Sequence, residues 1–203
     1  MAKLLESRGA RPPVPPSLPA LDPAAELMLA VQRDRADLVR DLLDRGVSPD
    51  ATSAEHGDDR PLHTAAYWGS VAAARVLLDR GAEVDPRESS YGATPLGFAV
   101  WAQRQGMIDL LGPLSRDLWN LAFTGQVERL RELLEAEPAL ATSAHPDGET
   151  PIMRLTDDAA KAVEIVKLFL AHGADRGVRN EQGQTAADLA GQRGMEDVVR
   201  LLT

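Results

Sequence analysis

Residues 60–69 read Arg-Pro-Leu-His-Thr-Ala-Ala-Tyr-Trp-Gly, and residues 79–85 read Asp-Arg-Gly-Ala-Glu-Val-Asp. The first stretch predicts a short helix, because proline suits the first turn of a helix and glycine suits the residue after its end. The second stretch predicts the end of another helix at Asp79-Arg80-Gly81, where a cation lies near the negative end of the helix dipole. Together they indicate a helix-turn-helix unit.

The same unit recurs along the chain. Asp44-Arg45-Gly46 precedes Asp79-Arg80-Gly81 by 35 residues, and Thr150-Pro151 precedes Thr185-Ala186 by the same 35 residues. A fixed period of this length is typical of repeat proteins, in which stacked units bury one continuous core. We assign six copies, to residues 25–59, 60–93, 94–115, 116–149, 150–184 and 185–203.

This unit resembles an ankyrin repeat. Pro61-Leu62-His63 matches the turn that opens the family's first helix, Ala65-Ala66 matches its small pair, and Val76-Leu77-Leu78 matches the core of its second helix. The resemblance covers nearly everything after Pro23. It implies an all-α solenoid of about six degenerate repeats of a bacterial type, joined by short hairpin-like turns. It also implies that His63 forms hydrogen bonds between neighbouring turns and that the chain is a protein-binding module.

Two copies depart from the family pattern. The step from Thr94 to Arg116 is only 22 residues, which leaves no room for a hairpin finger between the third and fourth copies. We expect a notch there. In the fifth copy, the stretch Met153–Ala162 is about two residues longer than in the other copies, and we expect the extra residues to form a loop at Asp157-Asp158 between two helices.

Composition limits the classes of binding partner and the cellular locations that we expect for this chain. The formal net charge of −9 disfavours nucleic acid and anionic membranes, so a basic or mixed-charge protein surface is the more plausible partner. The absence of cysteine removes disulfides, thiol nucleophiles and cysteine metal sites. No apolar run is long enough to cross a bilayer, and the first residues do not form a signal peptide. We expect a cytoplasmic monomer that has no cofactor and no metal.

Catalytic motifs are missing from the sequence. It contains no phosphate-binding Gly-x-x-x-x-Gly-Lys, no Gly-x-Ser-x-Gly and no His-Glu-x-x-His. The four histidines fall in different copies, which a stacked fold keeps apart: His56, His63, His145 and His172. Glu149 and Asp157-Asp158 could bring acids together, but no apolar surroundings would raise their pKa values. We interpret them as a solvated acidic loop and expect no enzyme activity.

The first residues carry two separate signals. Ala2–Ala10 reads like the end of a repeat, so we interpret residues 1–10 as a partial repeat helix or cap, or as the trace of a longer protein cut upstream. Residues 11–23 contain six prolines, which oppose helix formation and favour an extended linker. The linker is either a spacer or a docking peptide for a proline-recognising domain.

Aromatic residues mark the candidate binding site. One residue after the small pair of each first helix comes a position that, in the family, faces the concave groove; here it is Gln32, Tyr67, Trp101, Phe123, Asp157 and Gln192. Three successive copies are therefore aromatic at this position, although the chain has only eight aromatic residues (three Trp, two Tyr and three Phe). Such residues supply large, rigid contact areas at interfaces.

We predict a binding patch with an aromatic centre and a polar rim. The centre consists of Tyr67, Trp68, Tyr91, Trp101 and Phe123, and the rim of Gln32, Arg33, Asp59, Arg87, Asp157, Gln192 and Arg193. Alternatively, Trp101, Trp119 and Phe123 fill the notch as core, and we expect Trp119 to be mainly core. The favoured function is a non-catalytic module that binds a protein through its groove and finger tips. The alternative is a regulatory or targeting segment of a longer enzyme or effector.

Overall fold

The computed structural model describes residues 22–53 and 57–203, so residues 1–10, most of the predicted linker and His56 lie outside the described part. Eleven α-helices and two 3-10 helices make up the secondary structure of these residues, which confirms the all-α prediction. The α-helices are α1 (Pro23–Gln32), α2 (Ala36–Asp44), α3 (Pro61–Trp68), α4 (Val71–Asp79), α5 (Pro95–Trp101), α6 (Gln105–Leu111), α7 (Leu118–Thr124), α8 (Val127–Ala136), α9 (Ala159–Ala171), α10 (Ala186–Gln192) and α11 (Glu196–Leu202). The 3-10 helices are Pro138–Thr142 and Pro151–Met153. None of the helices described is long and apolar enough to cross a bilayer.

The helices stack in two layers. One layer runs through α1, α3, α5, α7, the 3-10 helix at 151–153 and α10, each in contact with the next. The other layer contains α2, α4 and α6 in series, followed by α8, α9 and α11 in series. Each unit therefore packs mainly on its neighbours, which is the contact pattern of a solenoid.

The core is built from aliphatic residues at matching positions of successive units. Leu62, Leu96 and Ile152 each follow the proline that opens a unit, and all three are buried. Ala65 and Ala66 are fully buried where the two layers approach closely. Because small residues occupy this position, the helices can pack without large side chains between them.

Helix α1 begins inside the predicted linker. We predicted that the linker would extend to Pro23 and that the first unit would begin at residue 25, but α1 starts at Pro23 itself. Proline is tolerated at the first helical position, where its missing N–H would have no partner. The Asp22 carboxylate accepts a hydrogen bond from the Ala24 amide at 3.4 Å and so caps the helix.

The fifth unit has no first α-helix. Its only helical turn before α9 is the 3-10 helix Pro151–Met153, and residues 154–158 follow as a loop. The Thr150 hydroxyl therefore caps no helix. Among the side-chain oxygen and nitrogen atoms that are buried in the described residues, it is the one without a hydrogen-bond partner. The expected loop at Asp157-Asp158 is therefore present, but the first helix that should precede it is not.

A buried carboxylate joins the third and fourth units in place of a finger. Asp117 accepts hydrogen bonds from the Thr94 hydroxyl at 2.6 Å and from the Asn120 side-chain amide at 2.8 Å. The Asp117 carboxylate also caps α7, because it accepts a hydrogen bond from the backbone amide of Asn120. Asp85 of the preceding loop accepts from the Ser115 hydroxyl and the Arg116 amide, both at 2.6 Å. Polar contacts thus link the two halves of the stack where the predicted notch lies.

His63 connects two turns as the resemblance implied. Its Nδ1 accepts a hydrogen bond from the Arg60 amide at 3.1 Å, and its Nε2 lies 3.1 Å from the Pro86 carbonyl oxygen and 3.3 Å from that of Ala93. This arrangement requires a neutral ring that carries its proton on Nε2. Burial lowers the pKa of His63 below 6.5, although Asp59, the two carbonyl groups and Glu88 act in the opposite direction.

The stability of the protein is expected to fall below pH 6.5 because of His63. In that range the unfolded chain binds a proton at His63 that the folded chain does not bind. The stabilising contribution of the neutral His63 ring is therefore complete above the pKa of the unfolded chain and is lost as the pH falls toward the lower pKa of the folded chain. The slope from one such group is at most about 1.4 kcal/mol per pH unit. Urea unfolding of the wild type and of His63→Gln between pH 7.5 and 5 checks this. Equal pH slopes for the two proteins would contradict it.

Candidate functional site

Four of the five predicted aromatic residues are well exposed. Tyr67, Trp101 and Phe123 lie at the last or penultimate positions of α3, α5 and α7, as the periodicity predicts. Trp101 is 74% exposed, Tyr91 88%, Trp68 49% and Phe123 43%, while Tyr67 is partly buried. Large aromatic side chains in these positions contribute little to the core, so the structure does not favour the alternative that Trp101 and Phe123 fill the notch.

The aromatic rings contact one another across units. The rings of Tyr67 and Trp101 stack with centroids 5.7 Å apart and planes at 24°, and Trp68 packs its edge against Tyr67 at 5.4 Å. Phe98 lies below them, 6.5 Å from Tyr67. These contacts hold the side chains in defined positions before any ligand arrives. We call the set Tyr67, Trp68, Tyr91, Trp101 and Phe123 the aromatic surface.

Arg104 fixes the end of helix α3, where Tyr67 and Trp68 lie. Its Nε donates a hydrogen bond to the Tyr67 carbonyl oxygen at 3.0 Å. Its aliphatic part covers Gly69, where a Cβ would come within 3.2 Å of Arg104 Cδ and where φ is +80°. Glycine at this position therefore allows both the helix end and the close approach of the next unit.

Glu88 organises the loop that carries Tyr91. Its carboxylate oxygens accept hydrogen bonds from the backbone amides of Ser90 at 2.6 Å, Tyr91 at 2.8 Å and Ala93 at 3.0 Å. The side chain is 3% exposed. Burial alone would raise the pKa of Glu88, but the amide donors outweigh it and lower that pKa below its usual range.

Replacing Glu88 by Gln is expected to loosen this loop by about 1 kcal/mol, because at least one partly buried amide then faces an N–H group instead of an acceptor. Amide hydrogen exchange at residues 90–93 should become faster. Glu181→Gln is the matched control, since its side chain is exposed in the last hairpin loop. Unchanged exchange at residues 90–93 would show that the carboxylate does not hold the loop.

A cleft of about 460 Å³ lies beside the aromatic surface. Tyr91, Trp101 and Phe123 form part of its wall. The remaining lining includes residues that the sequence analysis did not place in the site, namely Gly97, Trp119, Asn120, His145 and Arg154. A second compartment of about 410 Å³ shares Tyr91, Ala93, Gly97 and Trp101 and adds Phe98. Both volumes fall in the range of ligand sites in proteins.

Trp119 packs against the core, as we expected, and it also forms part of the wall of this cleft. It is only partly buried, its Nε1 donates to the Glu149 carbonyl oxygen at 3.3 Å, and its ring packs edge-on against His145 at 4.3 Å. One part of the Trp119 ring remains open to the cleft, because the connection before α7 is short and no finger covers the start of that helix.

Of the predicted rim residues, the structure places Arg87 at the cleft. Gln32 and Arg33 end or follow α1 at one end of the stack, and Gln192 and Arg193 end or follow α10 at the other. The alignment of Asp157 with Tyr67 requires Asp157 to lie near the end of a helix. The fifth unit lacks that helix, and Asp157 lies in a loop. Its carboxylate instead pairs with Arg193 at 2.6 Å.

The acidic residues that we considered for catalysis have structural contacts. Asp158 caps α9 through the amides of Ala160 and Lys161. Another acidic group, Asp58, Asp59 and Glu88, has carboxylate oxygens within 4.8 Å of one another. The Glu88 oxygens in that group already accept three backbone hydrogen bonds, so they stabilise the loop.

Comparison with known proteins identifies the repeats. The family model of ankyrin repeats (three copies) matches residues 27–117 and 118–203. The chain is 24% identical over 192 residues to a protein named as ankyrin repeat protein YahD of Escherichia coli (strain K12), covering 88% of this chain and 94% of that protein.

Two further relatives match a shorter stretch. Protein PhlB of Serratia liquefaciens is 39% identical over 79 residues, covering 39% of this chain and 34% of PhlB. Serine/threonine-protein kinase 12 of Arabidopsis thaliana is 32% identical over 91 residues, covering 45% of this chain and 19% of the kinase. The chain therefore spans most of one relative and less than two thirds of the other two.

Proposed function

This chain belongs to the ankyrin repeat family, and on that premise we propose that it is a non-catalytic module that binds a protein partner on the aromatic surface and the neighbouring loop. Ankyrin repeats are generally protein–protein interaction modules. The observation that carries the proposal is the cluster of exposed aromatic rings at the ends of α3, α5 and α7. Trp and Tyr dominate interface energetics because they bury much area and lose little side-chain entropy.

The position of the cluster supports the same proposal. Tyr91 is 88% exposed on a loop that Glu88 holds in place, and Trp101 is 74% exposed on the end of a helix. Exposed apolar residues normally occur singly on a protein surface, whereas a contiguous apolar patch marks an interaction site. We propose a cytoplasmic monomer for the free protein, in keeping with its charge and lack of cysteine.

The alternative, a regulatory or targeting segment within a longer enzyme or effector, remains a second proposal. It draws support from the match to a small part of a protein named as a kinase. In that case the aromatic surface would bind a segment of the same protein. The two proposals share the site and differ in whether the partner lies on the same chain.

Affinity capture followed by binding measurements tests the proposal. Tyr67→Ala/Trp101→Ala should weaken binding of a captured and purified partner by at least about thirtyfold, the size of one interface hot spot. The same variant should lose only about 1 kcal/mol of stability, because it removes an exposed ring stack. Leu38→Ala is the matched control, since Leu38 is an exposed apolar residue on α2, 45% exposed. Equal affinity for the double variant and the wild type would place the site elsewhere.

A further inference from the structure

The cleft beside the aromatic surface has a charge opposite to that of the whole chain. The formal net charge is −9, which from composition favours a basic partner. Yet the basic and acidic side chains that line the cleft are Arg87, Arg154, His145 and a single carboxylate, Asp117. At physiological ionic strength charges are screened over about 8 Å, so a ligand in the cleft responds mainly to the groups that line it.

Asp117 offsets only part of the positive charge that Arg87 and Arg154 bring to the cleft. It is 5% exposed, and its oxygens accept three hydrogen bonds from Thr94 and Asn120. The carboxylate is therefore occupied by neighbouring groups of the protein. Its role is to join the third and fourth units, and the arginines set the charge that a ligand meets.

Both arginines keep donors that the described structure does not use. Arg87 Nη1 donates to the Gly92 carbonyl oxygen at 2.7 Å, which orients the guanidinium at the mouth of the cleft and leaves its other N–H groups unbonded among the described residues. Arg154 is exposed just after the 3-10 helix at 151–153, and its guanidinium has no ion pair or hydrogen bond within residues 22–53 and 57–203. A guanidinium binds a carboxylate through two parallel N–H groups, which makes it well suited to an acidic ligand.

The floor of the cleft is open because of Gly97. This glycine lies inside helix α5, where it is less favourable than alanine by roughly 0.5–1 kcal/mol. A Cβ there would lie 3.2 Å from Asn120 Nδ2, 3.6 Å from Thr94 Oγ1 and 3.7 Å from Ala93 Cβ. Gly97 lines both the charged compartment and the apolar one formed with Phe98.

Building on the proposed function, we propose that the occupant of this cleft is an acidic peptide segment of the partner. An apolar or aromatic side chain of that segment lies over Gly97 between Tyr91 and Trp101. Carboxylates close to it in sequence bind Arg87 and Arg154. A basic segment is disfavoured, because the two arginines oppose the attraction that aromatic rings exert on a cation.

Selection from a display library of random short peptides on the whole chain tests this inference. The enriched peptides should be acidic and carry an apolar residue next to the acidic ones. The most enriched peptide is then synthesised, together with a version that has Gln and Asn in place of Glu and Asp. Its affinity is measured with the wild type, with Arg87→Gln/Arg154→Gln and with Trp101→Ala.

We expect the Arg87→Gln/Arg154→Gln variant to bind the acidic peptide at least about tenfold more weakly, the value of one charge-assisted hydrogen bond. Arg40→Gln/Arg75→Gln is the matched control, because it changes the net charge equally on the exposed side of α2 and α4. It should leave the affinity nearly unchanged. The peptide without carboxylates should bind as weakly to the wild type as the acidic one binds to the cleft variant.

The outcomes separate this inference from the proposed function. Enriched peptides that are neutral or basic, or an equal loss in the control arginine variant, would overturn the acidic ligand. If Trp101→Ala abolishes binding while Arg87→Gln/Arg154→Gln does not, the aromatic surface is retained and the acidic ligand is rejected. If neither variant matters, or if no peptide is enriched, the acidic ligand is rejected, and the capture experiment with Tyr67→Ala/Trp101→Ala decides the proposed function separately.

Discussion

Replacing Phe169 by Ala is expected to lower the free energy of unfolding by about 4 kcal/mol, within the range measured for large buried aromatic residues. Phe169 is fully buried in α9, the second helix of the fifth unit. Its removal leaves a cavity that the stacked helices cannot fill, because both neighbouring units hold them in place. Urea unfolding of the variant, followed by far-ultraviolet circular dichroism, measures the loss.

Phe123→Ala is the matched comparison for that change. Phe123 is 43% exposed at the end of α7, so the same substitution should cost less than about 1 kcal/mol. The two variants should behave in opposite ways toward a partner: Phe123→Ala weakens binding, while Phe169→Ala binds normally under conditions in which it stays folded. A large stability loss from Phe123→Ala would assign this residue to the core.

The second large effect is expected for Asp117→Ala, at about 3 kcal/mol. The change removes an acceptor from the buried Thr94 hydroxyl and from Asn120, and buried groups left without a partner cost about 1–3 kcal/mol each. Asp158→Ala removes an exposed helix cap of similar geometry and should cost only about 1 kcal/mol. Equal losses for the two variants would contradict the role assigned to the buried junction.

Asp117→Ala should also weaken the cooperativity of unfolding. Repeat stacks unfold as one unit only while the interfaces between units are strong enough. Because Asp117 links the third and fourth units, its loss should separate the transition followed by tryptophan fluorescence from that followed by circular dichroism. Coincident transitions in the variant would show that the halves remain coupled by other contacts.

Much of the fold could be predicted from the sequence, since each helix end has a local signal. Gly69 and Gly81 have φ values of +80° and +83° where the helices were predicted to end. His63 forms the hydrogen bonds between turns that its position in the repeat implies. Such features depend on neighbouring residues and on the period, which a single sequence contains.

The fifth unit could not be predicted in the same way. Thr150-Pro151 carries the usual signal for the start of a first helix, yet the structure forms a single 3-10 turn there. The following loop is fixed by distant contacts, in which the Thr156 amide donates to the Ala122 carbonyl oxygen and Arg193 donates to that of Leu155. Tertiary contacts of this kind leave no local pattern, and they explain why the absence of the first helix before Asp157 was not predicted.

The candidate site also contains residues that could be predicted from the sequence and residues that could not. The aromatic residues could be found because they recur at one position of the repeat. Arg154 and His145 also line the cleft, and no periodic pattern pointed to them. Gly97 did carry a signal, since a glycine inside a predicted helix often marks a packing or functional requirement.

Amide hydrogen exchange of the whole chain, with and without a captured partner, tests the central claim most directly. If the partner binds the aromatic surface, exchange should slow in residues 87–93 and at the ends of α3, α5 and α7. Slowing confined to the opposite layer, in α4, α6 and α8, would contradict the proposed site.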